Sequence, residues 1–190
     1  MPDRLVILDR DGVINQDSDA YIKSLDEWKP IQGSIDAIVR LSQAGYRVAI
    51  ASNQSGLARG LFSLAALNAM HQRLWQLVAT PGGRIEVIAF CPHGPDDGCR
   101  CRKPRTGLLE EIAYRLGADL ADVPFIGDSI SDIRAARAVG AAPWLVRSGK
   151  GERTLASIGD PRAGSELLGV PVYLDLDAAA TALINNQGRL

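Results

Sequence analysis

Short apolar runs alternate with stretches of helical period along most of this chain. The runs Leu5–Leu8, Val48–Ala51, Ile85–Phe90, Pro124–Ile126, Trp144–Val146 and Val172–Leu174 are brief and bounded by turn residues, the pattern of strands buried on both faces. Between them, apolar residues recur every three or four positions, as in helices with one face against a core. Ser34 predicts the cap of a helix carrying Ile38, Val39 and Leu41 and stopping at Gly45. Ser63 predicts a longer one through Leu67, Met70, Leu74 and Leu77, ended by Pro81-Gly82-Gly83. Thr106 starts a third helix that Gly117 ends, and Ser131 a fourth that Gly140 ends. Strands alternating with helices predict the α/β class, a doubly wound and mainly parallel sheet with helices on both faces. Such a sheet gathers the loops after Leu8, Ala51, Phe90 and Ile126 at one edge. Gly149–Gly169 has little periodicity and reads as a surface loop or a partly ordered crossover.

Composition narrows the picture without changing it. The 190 residues fit one domain over 1–190, large enough for a core without disulfides. With 21 basic and 22 acidic side chains the net charge is −1, so no global field draws nucleic acid or an anionic membrane. Basic residues do gather at Arg100, Arg102, Lys103 and Arg105. No apolar run spans a bilayer, and Met1–Arg4 leads straight into the first strand with no room for a signal peptide, so a cytoplasmic protein is expected.

The candidate chemistry sits where the apolar runs stop. Asp9-Arg10-Asp11-Gly12 follows the first strand. If the backbone stays extended, Asp9 and Asp11 project to one side. Two acids so close need a cation between them or a shared proton. That suits a Mg²⁺-assisted nucleophile beside an acid/base, although an Asp–Gly turn gives the same letters. Ser52-Asn53-Gln54-Ser55-Gly56 offers hydroxyl, amide and N–H donors fit for phosphate oxygens, or an ordinary turn. Lys103 could offset phosphoryl charge, and Gly127-Asp128-Ser129-Ile130-Ser131-Asp132 could complete an oxygen-rich Mg²⁺ site. Asp132 also suits the first turn of a helix.

All three cysteines, Cys91, Cys99 and Cys101, fall in one short loop with His93. Three thiolates and an imidazole make a complete tetrahedral Zn²⁺ set with no open position, so the loop 91–101 reads as a structural zinc site that also fixes Arg102 and Lys103. His71 reads as a helix-surface or packing residue, and Trp28, Trp75 and Trp144 as packing residues.

The four motifs, Asp9-Arg10-Asp11-Gly12, Ser52-Asn53, Lys103 and Gly127–Asp132, resemble those of the haloacid dehalogenase (HAD) phosphatase superfamily over the chain from its first strand to about Arg147. The resemblance implies that Asp9 is the nucleophile and Asp11 the acid and then the base. It further implies that Asp9, the Asp11 carbonyl and Asp128 hold Mg²⁺, that Ser52 and Asn53 bind the phosphoryl group, and that Lys103 neutralises it. The Cys91–Cys101 loop and the lack of an inserted cap are similar to a branch containing sugar-bisphosphate phosphatases and histidinol-phosphate phosphatases. Ser52–Gly60 and Leu145–Lys150 look like the former, whose sugars serve lipopolysaccharide synthesis. On that likeness the partner is a small sugar bisphosphate, the chain a monomer, and Asp17, Tyr21, Gln54, Ser55 and Arg102 add substrate contacts, Arg102 to the second phosphate. Val13 and Ser129 depart from commoner Thr and Lys. A catalytically inactive, zinc-organised binding module is the reading from another class.

Overall fold

A computed structural model describes residues 4–157 and 161–186. Its strands are β1 (Leu5–Leu8), β2 (Arg47–Asn53), β3 (Val87–Cys91), β4 (Pro124–Gly127), β5 (Ala142–Val146) and β6 (Val172–Tyr173). Its helices are α1 (Ser34–Gln43), α2 (Leu64–Ala79), α3 (Gly107–Leu116), α4 (Ile130–Ala138), α5 (Gly151–Ala156), α6 (Pro161–Leu167) and α7 (Leu176–Asn186). The strands pair in parallel in the order β3-β2-β1-β4-β5-β6. The chain therefore winds outward from β1 to β3, returns to β4 on the other side of β1, and winds outward again. Such a reversal opens a crevice beyond the carboxyl ends of β1 and β4.

β1 explains why its sequence is apolar without alternation. Leu5 and Ile7 join a core with Leu109, Ile112, Ala135 and Ala136, whereas Val6 and Leu8 join another with Leu41, Leu74 and Leu183. Successive strand residues point to opposite faces, and helices cover both. Each such side chain, fully buried, contributes about 1.5–3 kcal/mol. Among the described residues no helix is long and apolar enough to cross a membrane, and no inserted domain stands over the crevice.

Several local expectations need correcting. Pairing of Asn53 with Cys91 extends β2 and shifts β3, so Ser52, Asn53 and Cys91 end strands rather than begin loops. The position before α1 is held by Gly33 at φ 79°, while Ser34 Oγ donates to the Ile14 carbonyl at 2.6 Å. α4 begins earlier than predicted because Ser129 and Asp132 form a reciprocal capping box, leaving Ser131 inside the helix. Ser63 does cap α2, accepting from the Ala66 N–H at 3.1 Å. Within 149–169 the chain forms α5 and α6, too short to announce themselves by period. Tertiary contacts hold that region: Leu167 packs with Ile133 and Leu145, and Glu166 pairs with Arg134 at 2.7 Å. Trp28 is buried and Trp144 stacks on Tyr173 at 4.9 Å, but Trp75 lies exposed on α2.

Candidate active site

The crevice is a cavity of ≈390 Å³, and the loops after β1, β2, β3 and β4 all reach it. Asp9 leaves β1 with its N–H still on the Ile126 carbonyl at 2.9 Å, so the sheet itself fixes the first carboxylate. Asp9 Oδ1 accepts from the Arg10 N–H at 2.7 Å and forms an ion pair with Lys103 Nζ at 2.8 Å. Among the described residues its Oδ2 has no partner.

Lys103 is almost wholly buried: its Nζ donates to the Ala51 carbonyl at 2.7 Å and forms ion pairs with Asp9 Oδ1 at 2.8 Å and Asp132 Oδ1 at 2.7 Å. Asn53 holds that lysine from behind. Its Oδ1 accepts from the Lys103 N–H at 3.0 Å and its Nδ2 donates to the Lys103 carbonyl at 3.1 Å. The Asn53 side chain thus positions the lysine, while Asn53 also lines the cavity and its Nδ2 carries a second N–H.

Asp9, Asp128 and Asp132 are all buried, with carboxylate oxygens mutually within 4.8 Å. Against them stands one buried ammonium, Lys103, so three negative charges meet one positive. Burial comes first among the causes that push Asp9 up to about 7, with Lys103 opposing and Asp132 adding to it. Burial, then Asp9 and Asp132, push Asp128 up to about 8. Three buried carboxylates around one ammonium thus favour the protonated forms of Asp9 and Asp128. Asp132 is engaged through both oxygens. Its Oδ1 pairs with Lys103, and its Oδ2 accepts from Ser129 N–H and Oγ at 3.1 and 2.6 Å. An all-oxygen set centred on Asp9 and Asp128 fits Mg²⁺.

Asp11 faces the other way. Its Oδ1 accepts from Arg10 Nη2 at 2.8 Å and Asn15 Nδ2 at 2.8 Å, and its Oδ2 from Arg10 Nη2 at 2.9 Å and Gln54 Nε2 at 2.8 Å. Burial works to raise this carboxyl, but the Arg10 charge and these hydrogen bonds overcome it and hold the group below its usual range. Gln54 Nε2 also donates to Ser52 Oγ at 2.7 Å, so one amide orients two candidate residues. Behind Arg10 lies His71 Nε2 at 3.4 Å, a buried imidazole driven down to about 4 by burial and by the Arg10 charge. A neutral His71 accepts from the guanidinium. Sequence reading placed His71 on a helix surface or in packing, and only its spacing along α2, in register with Leu67 and Leu74, signals that it is buried.

Asp17, Tyr21, Ser55 and Arg102 line the same cavity. Tyr21 sits at φ 66° with the Arg59 guanidinium 5.9 Å from its ring centre. Arg102 Nη1 donates to the His93 carbonyl at 3.4 Å, tying it to the cysteine loop. There Cys91, His93, Cys99 and Cys101 present ligand atoms separated by 3.2 to 3.7 Å where contacts exist. A Zn²⁺ tetrahedron with Zn–S about 2.3 Å and Zn–N about 2.0 Å has edges of roughly 3.5–3.8 Å, so the four atoms stand close to ligating positions.

A fifth loop, after β5, which the sequence marks only by its family likeness over Leu145–Lys150, also belongs to the site. Ser148 Oγ donates to the Gly12 carbonyl at 2.7 Å, and the Lys150 N–H donates to Asp128 Oδ2 at 2.7 Å. Gly149 (φ 60°) packs on Gly12 (φ 83°), and a Cβ on either would overlap the Asp128 carboxylate. Lys150 Nζ reaches Asp17 Oδ2 at 2.9 Å across the mouth of the cavity.

A parallel α/β sheet whose first strand delivers Asp-x-Asp beside a buried lysine and a further acidic pair is the frame of a HAD-type phosphohydrolase. A family model described as HAD-hydrolase-like matches residues 100–164. The D-glycero-β-D-manno-heptose-1,7-bisphosphate 7-phosphatase of Pseudomonas aeruginosa is 58% identical over 180 residues, covering 95% of this chain and 97% of that one. A crystal structure of the D,D-heptose 1,7-bisphosphate phosphatase of Bordetella bronchiseptica, complexed with magnesium and phosphate, superposes with a TM-score of 0.89 at 52% identity, over 96% of this chain and 99% of that one. The Burkholderia thailandensis enzyme of the same name gives 0.71 at 43% identity, over 95% and 98%. The chain belongs to the D-glycero-D-manno-heptose-1,7-bisphosphate 7-phosphatase family.

Proposed function

We propose that this chain is a phosphoric monoester hydrolase that removes the 7-phosphate of D-glycero-β-D-manno-heptose 1,7-bisphosphate, in the making of lipopolysaccharide sugars. The observation that carries the reading is Asp9: a strand-fixed carboxylate with one oxygen on Lys103 and the other without a partner. In the first step the Asp9 oxygen attacks the C7 phosphorus, the bond from phosphorus to the C7 oxygen breaks, and Asp11 gives that oxygen a proton. In the second, Asp11 takes a proton from water, which attacks the aspartyl-phosphate, freeing phosphate and Asp9. The first step requires the Asp11 carboxyl to turn from Arg10 and carry a proton. The second needs the ionised form that the present hydrogen bonds favour.

Asp9, the Asp11 carbonyl and Asp128 would hold Mg²⁺, which when bound supplies positive charge to the phosphoryl oxygens. Ser52 and the backbone of Asn53 would bind those oxygens, with Lys103 neutralising charge and Gln54 orienting Ser52 and Asp11. Asp17, Tyr21 and Ser55 would face the sugar, and Arg102 the 1-phosphate. Zn²⁺ in the Cys91, His93, Cys99 and Cys101 set would pin the loop that carries Arg102 and Lys103. The chain would work in the cytoplasm as a monomeric, single-domain catalyst, with neither nucleic acid nor membrane as partner.

The test is kcat/KM, with Mg²⁺, for both anomers of the heptose bisphosphate and for histidinol phosphate. A preference for the β-anomer over histidinol phosphate of roughly a hundredfold or more, about 2.7 kcal/mol in transition-state terms, is expected. A preference for histidinol phosphate would overturn the substrate, and turnover retained by Asp9→Asn would overturn the mechanism.

A further inference from the structure

Three cations line the cavity, Arg102, Lys103 and Lys150, and they are not equally available. Lys103 is already engaged by two carboxylates and the Ala51 carbonyl, all within 2.8 Å, so its charge is largely balanced inside the site. Arg102 stands on the β3 side, tied to His93. Lys150 stands on the β5 side, and Asp17 Oδ2 is its ammonium's single partner among the described residues. Three N–H donors with one acceptor leave two for a ligand.

The lysine is not a loose surface residue. Its own N–H is on Asp128, and Gly149 beside it is wedged against Gly12 and Asp128, so its backbone is locked to the centre of the site while its side chain is half exposed. Its ammonium pairs with the Asp17 carboxylate at 2.9 Å. Asp17 is largely buried and lines the same cavity.

We infer that Lys150 is a phosphoryl-binding residue kept in place by Asp17: when a phosphate group enters, the ammonium exchanges the Asp17 carboxylate for a phosphoryl oxygen, and Asp17 is released to accept hydrogen bonds from the sugar hydroxyls. The arrangement puts a donor on the β5 side of the reacting group, apart from Lys103, whose ammonium is already paired with Asp9 and Asp132. It deepens the functional reading above and rests on it for the sugar, but its anion-binding part does not depend on turnover.

The experiment is calorimetric binding of inorganic phosphate, in Mg²⁺, to wild type, Lys150→Met, Lys150→Arg, Asp17→Asn and the Asp17→Asn/Lys150→Met double variant. Thermal melts serve as a folding control. Lys150→Met removes the charge but keeps the backbone N–H on Asp128. It should weaken phosphate by roughly tenfold or more, the scale of one charge-assisted hydrogen bond, and Lys150→Arg should restore most of the loss. Because Asp17 competes with the ligand, Asp17→Asn should tighten phosphate when Lys150 is present and leave it unmoved in the Lys150→Met background. On the heptose bisphosphate, Lys150→Met should lower kcat/KM, whereas Asp17→Asn should raise KM through the sugar contacts. A phosphate Kd equal to wild type in folded Lys150→Met, or an Asp17→Asn effect of the same sign and size in both backgrounds, overturns the exchange. If Lys150→Met does not fold, the Asp17→Asn and Lys150→Arg measurements decide alone. Wild type that binds phosphate as expected but hydrolyses no sugar bisphosphate would instead overturn the substrate reading.

Discussion

Replacing Lys103 by Met keeps an aliphatic stem in a buried slot and removes the one buried ammonium among Asp9, Asp128 and Asp132. Three contacts vanish, to Asp9, Asp132 and the Ala51 carbonyl, and two carboxylates lose their ion-pair partner. Removing one member of a buried pair costs about 3–5 kcal/mol, because the other charge is stranded rather than merely unbonded. At roughly 2–4 °C per kcal/mol for a chain of this length, the Tm should fall by about 6–20 °C at pH 8 in buffer without added Mg²⁺. The sign with pH follows from Asp9. Its pKa, already raised to about 7, is held down by the Lys103 charge. Without the lysine it rises further, the carboxyl is protonated at pH 6, and the stranded charge is gone. The Tm gap between wild type and variant should therefore narrow as pH falls from 8 to 6, and Asp132→Asn in the variant should recover part of the loss at pH 8. A gap of under about 2 °C at pH 8, or one that does not change with pH, would refute the claim that Lys103 balances these carboxylates.

Two further outcomes follow from the same electrostatics and from the cysteine loop. Asp9 and Asp128, raised from 3.8 to about 7 and about 8, ionise at a cost in the folded state, so the metal-free protein should lose stability as pH rises from about 4 and level off above about 8. Added Mg²⁺ must displace those protons below about pH 8, so its apparent Kd should tighten between pH 6 and 8 and level off above; a Kd flat over that range, by calorimetry, would show that neither acid ligates. Removing the proposed zinc with a chelator that spares Mg²⁺ should lower kcat/KM and speed amide exchange over residues 91–105, since Arg102 and Lys103 directly follow Cys101. An unchanged rate with unchanged exchange would remove the loop from the mechanism.

The parts of this site that were legible in the sequence are those whose chemistry is local. Asp9 and Asp11 announce themselves because an apolar strand cannot end in two acids without a reason, and β1 has the bounds its apolar run predicts. The cysteine loop is legible because its ligands are neighbours in sequence. What stayed hidden depends on contacts that the sequence separates. Ser148 meets Gly12 and Lys150 meets Asp128 only because β5 lies beside β4 in the sheet, and Ser-Gly-Lys alone looks like any turn. Arg10 reads as a charged residue between two acids, yet it is buried, with His71 from α2 behind it, and together they decide which way Asp11 faces. Asn53 shows the same limit at closer range. An amide at a strand end suits phosphate as well as it suits a backbone, and the sequence does not show that the Lys103 backbone engages both Oδ1 and Nδ2 here. Residue type and strand-end position thus carry the identity of the reacting groups, while their protonation and orientation are set by buried partners that only the packing of β1, β4, β5 and α2 brings together.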